Sequence, residues 1–211
     1  MVKSSEAKLI NIDTNFEESV SLAKKIYYEG KVFIYPTDTI YGFGANPFNE
    51  DAVKSVDVIK GRELWKMYIL LIGDIDTLLK YVEINSERHL DFLISIWPNS
   101  VSVILNLNLK TREILQRENA AFRIPNHRFC LKLLSDLKMP LISTSVNRSK
   151  QPPITEPSII IDEFLPDVEA ILYSKKKPFI QASTIINLCN SKPALVREGK
   201  IKFDDLLKKF G

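Results

Sequence analysis

Apolar residues at Phe16, Val20, Ala23 and Tyr27 recur at helical spacing and Gly30 supplies a left-handed stop, so the chain opens with a predicted helix of about four turns. Thr14 followed by Glu17 has the spacing of a capping box at its start. Val32-Phe33-Ile34-Tyr35 then reads as a buried strand stopped by Pro36. Asn49 caps a second helix carried by Ala52, Val53, Val56 and Ile59 and closed by Gly61, after which residues 67–72 return as a strand. Apolar runs at 101–107, 120–124, 141–143, 170–173 and 184–188 predict further strands. Segments 74–81, 86–96, 127–138, 157–164 and 203–209 predict helices. This alternation predicts an α/β fold, one domain over residues 1–211, with a mixed, twisted open sheet flanked by helices.

Composition narrows the class without naming a function. The 211 residues are 45% hydrophobic and 26% charged, which is ordinary for a globular chain, and the net charge of +3 is too small to diagnose nucleic-acid binding. Cys130 and Cys189 stand far apart and form no Cys-x-x-Cys pair, so buried structural thiols are expected. Met1 to Ile10 has no apolar signal core, and no run approaches the roughly 18 uncharged apolar residues of a membrane span, so a cytoplasmic location is expected. His89 and His127 are the only histidines, and neither sits in a metal-ligand spacing or beside a Gly-x-Ser-x-Gly elbow. Triad hydrolysis and zinc chemistry are disfavoured, and His89, on a polar helix, is expected to be solvated. P-loop and Gly-x-Gly-x-x-Gly motifs are absent, so any phosphate needs another device.

The polar residues cluster at element ends. Tyr35 to Gly44 leaves a buried strand for a turn of hydroxyls, one carboxylate and two glycines, a common ligand position in open α/β sheets. Taken alone, the segment is better accounted for by an ordinary Asx or Ser/Thr turn with Gly42 and Gly44 at positive φ. Lys60-Gly61-Arg62 closes the second helix, where cations also serve as plain helix caps; Lys66 adds a third cation, and the group suits a triphosphate. Arg123 is a lone charge inside the apolar strand Ala121 to Ile124, so it calls for an anionic partner, either an internal carboxylate or a substrate's. Ser143 to Ser149 ends another strand in hydroxyls and an amide, and Arg148 to Pro157, with three prolines, reads as a flexible flap.

In order, Pro36-Thr37-Asp38-Thr39-x-Tyr41-Gly42, Lys60-Gly61-Arg62, Trp97-Pro98, Arg123-x-Pro125, Ser145-x-Asn147-x-Ser149, Ser183-Thr184-Ile185 and Arg197-x-Gly199 resemble the Sua5/YciO/YrdC family over about residues 32–200. The chain departs from the family pattern with Asn99-Ser100 for Gly-Pro, Ser102 for Thr, Met67 for Pro, Val146 for Ala, Lys150 for Gly, and Tyr173-Ser174-Lys175 roughly where Asp-Gly-Gly is usual.

The resemblance implies the YrdC-like α/β fold with a concave basic face and the activity of a nucleotidyltransferase, threonylcarbamoyl-AMP synthase. Such an enzyme makes threonylcarbamoyl-AMP and pyrophosphate from L-threonine, bicarbonate and ATP, and a separate transferase then modifies adenosine 37 of ANN-decoding tRNA. By resemblance Lys60 and Arg62 are catalytic. Lys60, Arg62, Asn119, Asn147, Thr155 and Arg197 would line the ATP site, and Thr37, Arg123, Ser145 and Ser183 the threonine site. Mg²⁺ is expected with the triphosphate, without a cage made of protein alone. With the chain ending at Gly211, the short form without the additional C-terminal domain is expected. Two alternatives compete: a YciO-like paralogue with weak or no synthase activity, and a module that binds double-stranded RNA or tRNA through phosphate contacts. If Lys60 serves the nucleotide alone, Lys60→Ala should leave melting nearly unchanged.

Overall fold

The computed structural model describes residues 7–61, 68–176 and 181–211. In chain order these form β1 (Lys8–Asn11), α1 (Phe16–Tyr28), β2 (Phe33–Tyr35), β3 (Gly42–Gly44), α2 (Glu50–Lys60), β4 (Ile69–Leu71), α3 (Ile75–Leu79), α4 (Glu87–Ile96) and β5 (Val101–Asn106). There follow α5 (Leu109–Leu115), β6 (Asn119–Arg123), α6 (Arg128–Leu137), β7 (Leu141–Ser145), α7 (Pro157–Phe164), β8 (Ala170–Tyr173), β9 (Thr184–Asn187), β10 (Ala194–Arg197) and α8 (Phe203–Phe210). The fold is α/β with mixed strand pairing and flanking helices, as expected. Of the predicted strand 67–72, Met67 lies outside the described residues.

Helix ends follow local chemistry. Asn49 Oδ1 accepts the Ala52 N–H at 2.9 Å to start α2, and Gly61, at φ 59°, ends it. Gly30 stops α1 at φ 66°, with its N–H on the Tyr27 carbonyl and the Lys31 N–H on that of Ile26. The capping box expected from Thr14 and Glu17 does not form. Asn15 is the cap residue, and the Thr14 hydroxyl is engaged on Asn15 Oδ1 at 2.7 Å. The first turn is held instead by Ser19 Oγ donating to the Asn15 carbonyl at 2.7 Å.

The described chain falls into two compact units. Unit 1 comprises Met1–Lys66 with Ile142–Ile180. Its strands lie in the order β1-β8-β2-β3-β7, with β1, β8 and β2 parallel and β3 antiparallel to both of its neighbours. Strand β7 therefore runs in the same direction as β2. Gly42 and Gly44 sit in β3 with no positive φ, so the turn reading fails for them. They are needed for close packing. A Cβ on Gly44 would come within 2.6 Å of Phe33 Cζ and 2.9 Å of Tyr35 Cε1, and one on Gly42 within 3.0 Å of Ser143 Oγ.

Unit 2 comprises Met67–Leu141 with Gln181–Gly211, its strands ordered β4-β6-β5-β9-β10. Parallel pairs β4/β6 and β5/β9 alternate with antiparallel β6/β5 and β9/β10. Strand alternation gives this sheet two unlike faces. Phe122, Val103, Leu105 and Ile186 are buried on one, whereas Ile69, Ile104, Asn106, Asn119, Ile185 and Asn187 are half-buried on the other. Beyond the sheet, α4 meets α8 where the Phe92 and Phe210 rings pack edge to face at 5.2 Å. His89 joins that contact. It is buried, 5.9 Å from the Phe210 ring, with Nε2 3.3 Å from the Ser191 carbonyl, so it is not the solvated side chain the sequence suggests. Cys130 is buried as expected; Cys189 is only half-buried.

Candidate active site

Strand directions gather the polar motifs of unit 1 at one edge of its sheet. The C-terminal ends of β2, β7 and β8 and the start of β3 lie there together, which brings the turn after Tyr35, the Ser145-Val146-Asn147 segment and Ser174 to the same side. Gly42 pairs with Ser145, and the Val146 N–H donates to the Tyr41 carbonyl at 3.3 Å. Within the turn, Thr37 Oγ1 donates to the Ile40 carbonyl at 2.7 Å and accepts the Thr39 N–H at 3.0 Å. Having only one proton, it also accepts from Thr39 Oγ1 at 2.9 Å. The Thr37 hydroxyl is thus saturated inside its own turn.

Lys60 is a buried hub, 4% exposed, rather than a surface cation. Its ammonium donates to the Ser145 carbonyl, to the Asn147 carbonyl at 3.2 Å and to Asn147 Oδ1 at 2.8 Å, and it lies 5.5 Å from the Phe43 ring centroid. Asn147 Oδ1 also accepts from Ser145 Oγ at 2.6 Å, and Asn147 Nδ2 donates to the carbonyls of Arg148 and Gln151. Three of the expected site residues, Lys60, Ser145 and Asn147, therefore form one hydrogen-bonded cluster. Arg62 and Lys66 lie outside the described residues.

Arg148, which sequence reasoning did not single out for the site, anchors this cluster from outside. Its guanidinium donates to the Ile59 carbonyl, reaches Asp167 at 2.7 Å and Glu163 at 3.3 Å, and lies 4.5 Å from the Phe164 ring centroid. A bidentate-capable cation followed by a helix with acidic residues was the available signal. The Ser149 N–H meets the Lys60 carbonyl at 2.6 Å, and the Ile154 N–H meets the Val146 carbonyl at 2.8 Å, so the proline-rich loop is tied back at both ends. That second bond sets half-buried Thr155 beside the Ser145–Asn147 segment.

Lys150 occupies a left-handed backbone, φ 67°, which costs a side-chain-bearing residue about 1–2 kcal/mol. Lys150→Gly should raise unfolding stability by about 0.5–1 kcal/mol once the extra backbone entropy of glycine is subtracted. Urea midpoints of the two proteins check this; an unchanged or lower midpoint contradicts it.

The corresponding edge of unit 2 joins the ends of β6 and β10 to the starts of β5 and β9. Arg123, 2% exposed, closes β6. Arg197 closes β10 and donates to the Ser183 carbonyl at 2.8 Å. Shielding of the guanidinium end, and then the Arg123 charge, lower the pKa of Arg197, although the residue as a whole is exposed. Two guanidinium groups close enough to repel favour an anion between them. Ser183 Oγ lies 3.0 Å from Ser102 Oγ, another residue not singled out for the site.

The remaining motif positions at this edge are structural. Thr184 Oγ1 donates to the Ile201 carbonyl and accepts the N–H groups of Gly199 and Ile201 at 3.0 and 3.1 Å. A Cβ on Gly199 would sit 2.4 Å from the Ala182 carbonyl oxygen, so only glycine lets the two backbones meet. Asn119 begins β6, on the same half-buried face as Arg123 but four positions away, about 13 Å along a strand. Among the described residues no group of three or more His, Cys, Asp or Glu is placed to hold a metal ion. No helix among them is long and apolar enough to cross a membrane.

These two edges carry the motifs of a single sequence pattern. Residues 25–199 match the Sua5/YciO/YrdC profile, described as telomere recombination. The chain belongs to the Sua5/YciO/YrdC family. The threonylcarbamoyl-AMP synthase of Pyrococcus abyssi (strain GE5 / Orsay) is 27% identical over 206 residues, which are 96% of this chain and 61% of that protein. The threonylcarbamoyl-AMP synthase of Pseudoalteromonas translucida (strain TAC 125) is 31% identical over 184 residues, 83% of this chain and 96% of that protein. Among solved structures, P. abyssi Sua5 complexed with L-threonine superposes with a TM-score of 0.84 at 28% identity, covering 92% of this chain and 58% of that one. The fold is shared with E. coli YciO, TM-score 0.83 at 24% identity, over 96% of this chain and 100% of that one.

Two of the places where this chain departs from the Sua5/YciO/YrdC pattern are locally satisfied. Asn99 and Ser100 keep the Trp97-Pro98 turn attached at both sides: the Asn99 N–H donates to the Ile124 carbonyl at 3.0 Å, and the Ser100 carbonyl accepts from Thr184 at 3.1 Å. After β8, Ser174 Oγ and the Lys175 N–H donate to Asp13 Oδ2 at 2.9 and 3.0 Å. Partial burial alone would raise the Asp13 pKa, but these bonds and Lys176 outweigh it and lower it.

Proposed function

We propose that this chain is a threonylcarbamoyl-AMP synthase that acts on L-threonine, bicarbonate and ATP and supplies the threonylcarbamoyl group for adenosine 37 of ANN-decoding tRNA. The observation that carries this reading is the edge of unit 2, where Arg123, Arg197 and Ser183 converge on a half-buried face without any ion pair to Arg197 among the described residues. A planar guanidinium at the end of an apolar strand suits an amino-acid carboxylate. The names of the synthase relatives and the L-threonine complex of P. abyssi Sua5 support the same substrate.

The chemistry asks for positioning and charge neutralisation rather than a protein nucleophile. The threonine amine attacks the carbon of bicarbonate, water leaves, and a carbamate forms. A carbamate oxygen then attacks the α-phosphorus of ATP, the bond to the bridging oxygen breaks, and pyrophosphate departs with that electron pair. Arg123 grips the carboxylate and Ser183 completes the threonine seat. By resemblance to the family, Thr37 and Ser145 would also serve threonine. By resemblance, Arg62 and Arg197 would offset triphosphate charge and Asn147, Thr155 and Asn119 would line the nucleotide, while Lys60 holds the Ser145–Asn147 segment in place. Mg²⁺ would come with the triphosphate and would neutralise part of its charge, without a cage made of protein alone. A separate transferase takes the product to tRNA.

Incubation with ATP, Mg²⁺, bicarbonate and labelled L-threonine should release pyrophosphate and labelled threonylcarbamoyl-AMP. Absence of both products, with no thermal shift from ATP plus threonine, sinks this reading. Salt-dependent affinity for double-stranded RNA that ignores threonine would instead identify a binding module.

A further inference from the structure

Ser102 has no part in the assignments above. The register of β5 puts it on the half-buried face of unit 2, next to Arg123 across the β5/β6 pair and beside Ile185 across the β5/β9 pair. It is fully buried, and its Oγ lies 3.0 Å from that of Ser183, itself 3% exposed. The two hydroxyls differ in their surroundings. Among the described residues Ser102 Oγ has no second polar partner, and a buried hydroxyl proton left without an acceptor is costly, so the Ser102 proton goes to Ser183. Ser183 Oγ is then the acceptor, and its own proton is free for a ligand. The main chain around it is pinned, with the Ser183 carbonyl on Arg197 and the Thr184 N–H on Ser100.

We propose that Ser102 is a positioning residue that commits Ser183 to donating its hydroxyl proton to the ligand's carboxylate. The inference rests on the threonine reading above and deepens it. Arg123 and Ser183 together then hold the carboxylate. A residue in this role needs a hydroxyl, so the threonine usual in the family meets the same requirement.

The test is calorimetric titration of L-threonine, and of its amino alcohol in which a hydroxymethyl group replaces the carboxylate, into wild type, Ser102→Ala, Ser102→Thr, Ser183→Ala and the double Ala variant. Ser102→Ala is expected to weaken L-threonine about tenfold, leave the amino alcohol within twofold and leave the KM for ATP unchanged. Ser102→Thr should restore wild-type affinity, and the double variant should bind no worse than Ser183→Ala alone, because the first serine acts through the second. Additive losses, failure of Ser102→Thr to rescue, or equal losses for both ligands overturn the proposal. Should the amino alcohol bind too weakly to titrate, the rescue and the double-variant comparison decide. Wild type that binds no L-threonine defeats the threonine reading and this inference with it. Normal wild-type binding with an unaffected Ser102→Ala defeats this inference alone.

Discussion

Arg123→Lys is expected to raise the KM for L-threonine about a hundredfold while the KM for ATP stays within a few-fold. Lysine keeps the positive charge but not the planar fork, and losing one of two parallel charged hydrogen bonds costs about 2–3 kcal/mol. The position is unforgiving because Arg123 ends a buried strand at 2% exposure, so no water can replace the missing donor. Steady-state kinetics with each substrate varied in turn separates the two constants. Equal increases for threonine and ATP would mean that the substitution disturbed the sheet rather than a carboxylate contact. Unchanged kinetics would remove Arg123 from the amino-acid seat.

Lys60→Met should lower unfolding stability by about 3 kcal/mol, roughly 6–12 °C in Tm for a chain of this size, as well as abolish product formation. Methionine fills the space of the stem but leaves the Ser145 carbonyl, the Asn147 carbonyl and Asn147 Oδ1 without the donor that serves all three. Asn147 is only 8% exposed, so solvent offers little relief. These contacts predict the opposite of the expectation that Lys60 can be removed without affecting melting. Calorimetry on the variant decides: a wild-type Tm would show that the cluster is held without the ammonium.

The cap at Asn49, the stops at Gly30 and Gly61 and the strand at Ala170 could be read from local pattern because each is set by residues within one turn or one strand. Three elements escaped for physical reasons. Helix α5 buries only Thr111, so it has no apolar stripe. Strand β1 has no fully buried position, and β3 is Gly-Phe-Gly, whose glycines resemble a turn until Phe33 and Tyr35 pack over them. His89 was misplaced for a related reason: Phe210, which covers it, is remote in sequence. At the candidate site, the order of motifs was legible but the partners were not. Lys60 and Arg62 read as equivalent phosphate cations, yet Lys60 is occupied by the segment after β7. Lys150 stands where glycine is usual, and the left-handed backbone there shows a local strain.

The contacts that build each edge join distant parts of the chain: Ser102 and Ser183 are 81 residues apart, and Lys60 and Ser145 are 85. Closing such loops is entropically expensive and is rewarded only when whole sheets pair, so early, locally folded intermediates lack these clusters. A small molecule that engages either cluster therefore binds the finished fold and not its precursors. At a hundred times its dissociation constant it adds about 2.7 kcal/mol to the native state, enough to act as a folding chaperone for destabilised variants of this chain.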